Sequence, residues 1–202
     1  MPDLKENKAA LREIKGGVWL TAGMWLAYNA AAISYLSFGA DYFASVGYEP
    51  AYAGFLTSLL MIGALFLSPV VGYLTDKFGG EVTFIAVGGT ALAVLFWLVP
   101  RVGINPLFLG ILIGVFAPFI PAPVFSLLPG FLPPERLGLG YGILSSLLNL
   151  GVLIGPFLVG LFYDLRASYV PGFNLMAFFA LLTAVFALLL KTTGKQNARA
   201  SN

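Results

Sequence analysis

The sequence predicts an all-α membrane protein: six transmembrane helices arranged as a 3+3 inverted repeat. Three observations carry that reading. Of 202 residues, 59% are hydrophobic and only 10% charged, against about 25% charged in an ordinary soluble domain, so the apolar residues face a solvent other than water. The mean hydropathy of +0.90 agrees. Six apolar stretches follow one another, each of about 18 residues or more, enough to cross the hydrocarbon core as a helix. The second stretch, moreover, repeats as the fifth.

A polar, basic segment at 1–17 precedes the first stretch, 18–46, whose length exceeds a perpendicular crossing and implies tilt. It is also too long for a cleavable signal peptide. The second stretch, 51–74, follows Gly47-Tyr48-Glu49-Pro50, and the third, 82–99, follows Lys77-Phe78-Gly79-Gly80. The fourth, 104–128, contains Pro118, Pro121 and Pro123, each of which removes a backbone donor and clashes with the preceding turn. This helix is expected to bend or break. Either it faces an interior where its freed carbonyls are satisfied, or the prolines only shape packing. The fifth stretch covers 137–162 and the sixth 170–190, leaving a tail at 191–202. Connections this short leave no room for a separate soluble domain.

Nine basic residues (Lys5, Lys8, Arg12, Lys15, Lys77, Arg136, Lys191, Lys195 and Arg199) fall on one side of these spans, and only Arg101 and Arg166 on the other. The excess sets both termini in the cytoplasm of a multi-pass cell-membrane protein. A net charge of +2 gives no footprint for nucleic acid. With no Cys and no His, disulfides, thiol chemistry and histidine-based catalysis are absent, and the nine acids are scattered. No enzyme activity and no metal or other cofactor is expected.

The repeat is read by laying 54–72 (GFLTSLLMIGALFLSPVVG) on 142–160 (GILSSLLNLGVLIGPFLVG), which match without gaps at nine of 19 positions. Gly54, Gly63 and Gly72 fall on Gly142, Gly151 and Gly160, and four residues further Asp76 falls on Asp164. The copies lie three spans apart and so run in opposite directions through the membrane. Inverted repeats of this kind build secondary transporters, whose solute sites lie near the midplane between moving units. Duplication alone would equally explain how the fold arose, with no bearing on present function.

The segment Gly72-Tyr73-Leu74-Thr75-Asp76-Lys77-Phe78-Gly79 resembles the G-x-L-x-D-[R/K]-x-G loop of the major facilitator superfamily, here too after the second helix. It departs from that family at Gly80 and Glu81, where basic residues are usual; such a weakened loop is commoner in the second half of family members. Gly142, Gly151, Gly155, Pro156 and Gly160 resemble the family's glycine-rich fifth-helix pattern, with Val159 replacing one glycine. The resemblance runs from Trp19 to Leu190 and implies one half, the C-terminal one, of a pair of six-helix bundles. The second bundle is then a separate N-terminal half or, since both termini share a side, another copy of this chain. In such a pair the resemblance implies that helices one and four line the solute path, two and five meet the other bundle through Gly142, Gly151, Gly155, Pro156 and Gly160, and three and six face lipid. It also makes Gly72, Leu74, Asp76, Lys77 and Gly79 a gating loop, with the Asp76 carboxylate set against a helix N-terminus of the opposite half.

On the first helix Thr21, Trp25, Tyr28, Ala32, Tyr35 and Tyr42 recur at steps of three and four, with Asn29 one step off. An aromatic and hydroxyl stripe fits a cavity that stacks on and hydrogen-bonds a small solute; ordinary packing is the competing reading. Asn149, a carboxamide in an apolar helix, is expected to be paired, across to a neighbouring helix or to a solute. Asp41 is the one acid within an apolar stretch, either functional or solvated at the interface. Since no charged residue lies near a predicted midplane, the sequence favours a neutral or amphipathic solute, or a site whose counter-charge comes from the other half. The sequence thus leads to a small-solute secondary transporter working by alternating access, or half of one, in the lipid bilayer. A non-transporting assembly partner that keeps the fold is the alternative.

Overall fold

The computed structural model describes residues 16–101 and 103–200, with side chains through Thr192. The basic residues Lys5, Lys8, Arg12 and Lys15 of the 1–17 segment lie outside the described residues. The chain is all-helical: α1 Gly16–Ser45, α2 Pro50–Phe78, α3 Glu81–Leu98, α4 Pro106–Phe116, α5 Pro121–Leu127, α6 Leu137–Arg166 and α7 Val170–Ala200. Local chemistry sets most boundaries. Glu49 accepts from the Ala51 N–H with Pro50 in the first turn of α2, and Asn105 accepts from the Leu107 N–H with Pro106 opening α4. The α2 and α7 helices outrun their expected ends at 74 and 190; α2 continues through the Asp76-Lys77 pair, and α7 extends beyond its apolar segment to Ala200.

The fourth span is broken where its prolines fall. Ala117–Phe119 form a 3-10 turn between α4 and α5, and Leu128–Gly130 form another after α5. Pro121 opens α5, where a missing N–H costs nothing.

Six spans are expected from the sequence, whereas five helical segments are long and apolar enough to cross: Pro50–Phe78, Glu81–Leu98, Pro106–Gly130, Pro134–Arg166 and Val170–Thr192. The exception is α1. It is long enough at 30 residues, about 45 Å, but its Thr, Asn, Ser, Tyr and Gly residues dilute its hydropathy. Its position goes with that composition: fifteen of its thirty residues are buried, against six of the 29 in α2. Packed against α2, α6 and α7, α1 has little surface left to match to lipid.

Close helix pairs are made by small residues. Gly151 and Gly155 of α6 seat on the backbone of Leu26 and Ala30 in α1, Gly63 of α2 on Gly114 of α4, and Gly89 of α3 on Ala180 and Ala184 of α7. The largest fully buried aromatics, Tyr35, Phe96 and Phe173, join α1, α3 and α7, with Tyr35 5.2 Å from Phe96 and 6.4 Å from Phe173 between ring centroids. Arg101 closes one end by donating to the Trp97 carbonyl and the Asn174 side chain while its guanidinium lies 4.6 Å from the Trp97 ring centre.

At the end of α6, Ala167 takes a left-handed conformation (φ 48°) and donates its N–H to the Tyr163 carbonyl. A Cβ is unfavourable there by about 1–2 kcal/mol. Ala167→Gly should therefore raise the midpoint of thermal unfolding in detergent, and an unchanged or lower midpoint would refute that account.

Candidate gating loop and solute path

The gating-loop residues occupy the last two turns of α2 and the reversal into α3. Thr75 is buried and its hydroxyl donates to the Val71 and Gly72 carbonyls, which anchors the turn. Gly79 (φ 68°) and Gly80 (φ 89°) both have positive φ, and the Gly79 N–H donates to the Thr75 carbonyl at 2.8 Å. Two such residues reverse the chain in the least space, which is why glycine belongs at 79. Gly72 has only the Ala122 side chain near a notional Cβ, and Leu74 is half-buried.

Asp76 and Lys77 are exposed side by side but in opposite electrostatic situations. Lys77 suits the negative end of α2, and its ammonium lies 5.5 Å and 5.3 Å from the ring centres of Tyr73 and Phe78. Asp76 faces the same helix C-terminus with the unfavourable sign. Among the described residues it has no hydrogen bond or ion pair. Its carboxylate therefore does nothing for the stability of this helix.

The stripe on α1 is divided by the structure. Trp25 stacks on Tyr28 at 5.6 Å and meets Phe125 of α5 edge-on at 5.2 Å, and Phe125 in turn stacks on Tyr141 of α6 at 6.0 Å. Phe125 is 41% exposed, so this group reaches the surface. Tyr35 instead lies wholly in the α1–α3–α7 core, away from that group. Asn29 is buried and donates to the Trp25 carbonyl at 2.7 Å. Among the described residues the Trp25 indole N–H and the Tyr35 hydroxyl are buried without a hydrogen-bond partner. Sequence spacing missed Phe125 and Tyr141, because contact between different helices leaves no trace in the periodicity of either.

Asn149 corrects its expectation: it is exposed on α6 and donates to the Ser145 carbonyl of its own helix at 2.8 Å. A carboxamide can satisfy itself on the turn below without crossing to another helix. The expected bundle contacts are corrected in part. Gly151 and Gly155 serve packing inside the chain, because closely packed helix pairs need small residues wherever they occur. Gly142 faces open space, Gly160 approaches only Phe38 at 3.4 Å, and Pro156 is half-buried inside α6. Asp41 is exposed at the end of α1. It is near Tyr169, whose hydroxyl is pushed up to about 12 by burial, by its hydrogen bond with Tyr163 and by the charges of Tyr163 and Asp41. Tyr42 and Tyr169, 6.0 Å apart, complete an aromatic belt of the kind found at membrane interfaces.

A bundle of long apolar helices, five of them among the described residues long and apolar enough to span a membrane, with a glycine reversal just after an exposed carboxylate, defines a multi-pass membrane protein. A profile of the Major Facilitator Superfamily matches residues 20–202, and the chain belongs to that superfamily. The chain is 33% identical over 146 residues to the multi-drug resistance efflux pump PmrA of Streptococcus pneumoniae, covering 68% of this chain and 34% of the pump. It is 30% identical over 204 residues to the proline/betaine transporter of Escherichia coli, covering 95% and 39%. It is 25% identical over 187 residues to the lysosomal dipeptide transporter MFSD1 of Danio rerio, covering 89% and 38%. All three relatives are transporters rather than enzymes, and the chain spans between a third and two-fifths of their length.

Proposed function

We propose that the chain is one bundle of a secondary transporter that moves a small solute by alternating access against a second bundle. The observation that carries this reading is Asp76: exposed, unpaired among the described residues, and opposed by the dipole of its own helix. A carboxylate so placed gains from a positive partner, such as a helix N-terminus of another bundle. The second bundle is a separate N-terminal half, favoured by the weakened loop at Gly80 and Glu81, or a second copy. Uptake into vesicles holding this chain alone, against vesicles holding it with a candidate partner, tests the proposal; saturable uptake by a monomer would sink it.

The 3+3 inverted repeat belongs to this proposal. It is supported by equivalent roles for aligned glycines: Gly63 seats α2 on α4, and Gly151 seats α6 on α1. It requires α1 to span despite its lower hydropathy, sheltered by its neighbours. The surface for the second bundle is the apolar face of α2 and α6, where Leu65, Phe66, Leu153 and Phe157 are each more than 60% exposed. For the solute path, Trp25, Tyr28, Phe125 and Tyr141 form the favoured lining, with the indole N–H of Trp25 as a donor and Asn149 on the exposed face nearby in sequence.

The orientation proposed is a cell-membrane protein with both termini and the α2–α3 turn cytoplasmic, on the balance of nine basic residues against two. The chain lacks cysteine, so single cysteines replacing Glu135 and Gly103, both exposed, can be labelled without background. An impermeant reagent added to intact cells should modify the Gly103→Cys protein and spare the Glu135→Cys protein. Modification of both to the same extent would overturn the topology.

A further inference from the structure

A groove between α3 and α7 has no role in the reading above. Its volume is about 630 Å³, and it is lined along α3 from Val82 to Leu95, with Phe116 of α4 and Leu188 of α7 as its other walls. None of its lining residues comes from α2 or α6, so a second bundle seated on those helices leaves it facing the bilayer. The floor exists because Gly89 draws α3 onto Ala180 and Ala184, and because Ala86 and Ala91 are small. Thr90 contributes no free polar atom, since its hydroxyl donates to the Ala86 carbonyl at 2.8 Å. At the end carrying the α2–α3 turn, the groove finishes at Lys191 and Thr83. The Lys191 ammonium makes no ion pair among the described residues. Asp76 and Glu81 are the acids beside that turn, and Glu81 sits in the first turn of α3, where the dipole favours it.

We infer that this groove binds an anionic glycerophospholipid, one acyl chain along α3 and the phosphate at Lys191. Length and charge both select it. The helix from Val82 to Leu95 extends about 20 Å, which accommodates a chain reaching through one leaflet of about 15 Å, half the hydrocarbon core. An apolar trough ending in one cation complements a long hydrocarbon chain with an anionic head, and a small soluble anion would leave the trough uncovered. Since Phe116 lies immediately before the 3-10 break of the fourth span, the bound chain packs against the irregular part of the fold. The inference stands independently of whether the chain transports.

The test is lipid retention by the delipidated full chain in mild detergent, read by native mass spectrometry during titration with phosphatidylglycerol or phosphatidylcholine. The native chain should keep one phosphatidylglycerol about fivefold more than phosphatidylcholine, the ratio equivalent to about 1 kcal/mol per basic side chain at an anionic headgroup. Lys191→Glu should remove the preference. Thr90→Trp and Val87→Trp fill the trough from exposed positions and should each lower retention of both lipids at least fivefold, with helix content unchanged by circular dichroism. Equal retention of the two lipids by the native chain would overturn the assignment, as would undiminished retention by the tryptophan variants. If one tryptophan variant loses helix content, the other and the exposed Lys191→Glu decide.

Discussion

A chain carrying Gly155→Leu is expected to lose its helix packing before any question of assembly arises. A Cβ at 155 would fall on the backbone of Ala30, and the leucine side chain needs still more space. Backbone cannot rotate aside as a side chain does, so α6 must lift off α1 along its length. Overpacking costs about 1–3 kcal/mol and occasionally more; against rigid backbone the upper end applies, roughly a hundredfold in the folded-to-unfolded ratio. Gly151→Leu should act the same way through Leu26. Gly142→Leu, on the same helix but in open space, should keep the fold and bear only on contact with a second bundle. The measurement is the fraction recovered monodisperse in mild detergent and its thermal midpoint. Equal recovery of the Gly155→Leu and Gly142→Leu proteins would show that the α1–α6 contact is not what these glycines serve.

The contrast between Gly155 and Gly142 marks where the sequence stops being legible. Spaced glycines announce that something approaches closely, because only they leave room for it. They do not name the neighbour, and contacts inside a bundle and between bundles have the same composition. The cross-helix partner expected of Asn149 is a related case: a carboxamide in an apolar helix seeks a partner, but which one, here Ser145 on its own helix, is set by rotamer rather than by residue type. The prolines were legible because their effect is local; Pro118 and Pro121 fall where the helix gives way to a 3-10 turn and restarts. The Gly79-Gly80 connection was legible for the same reason, its two glycines being the residues that take the positive φ of a short reversal. For α1, apolar length predicted a span, while its polar residues and their burial report the same thing from opposite directions: the most enclosed helix needs the least hydropathy.

Replacing Asp76 by asparagine should separate stability from activity in opposite directions. In the isolated chain the carboxylate opposes the dipole of α2, so the neutral isostere removes an unfavourable interaction and should raise thermal stability slightly, by a few tenths to about 1 kcal/mol. In the proposed two-bundle transporter the same change would remove an attraction between Asp76 and a positive helix end of the second bundle, worth about 0.3 to 2 kcal/mol when partly buried. Alternating access needs two states of similar energy, and a contact present in only one of them shifts their ratio by its whole value, here about twofold to thirtyfold. Uptake should fall by a factor in that range, while insertion and expression are unchanged. Asp164 supplies the internal control: it aligns with Asp76 in the repeat and is likewise exposed in the last turn of its helix. Its loop lacks the glycine reversal, with Ala167 in the left-handed position instead, so Asp164→Asn should transport nearly normally. Near-normal uptake by both mutants at matched expression would strip Asp76 of its gating role. Equal loss in both would transfer that role from the loop motif to the repeat itself, because only the aligned position at the helix end, and not the surrounding glycines, is common to the two sites.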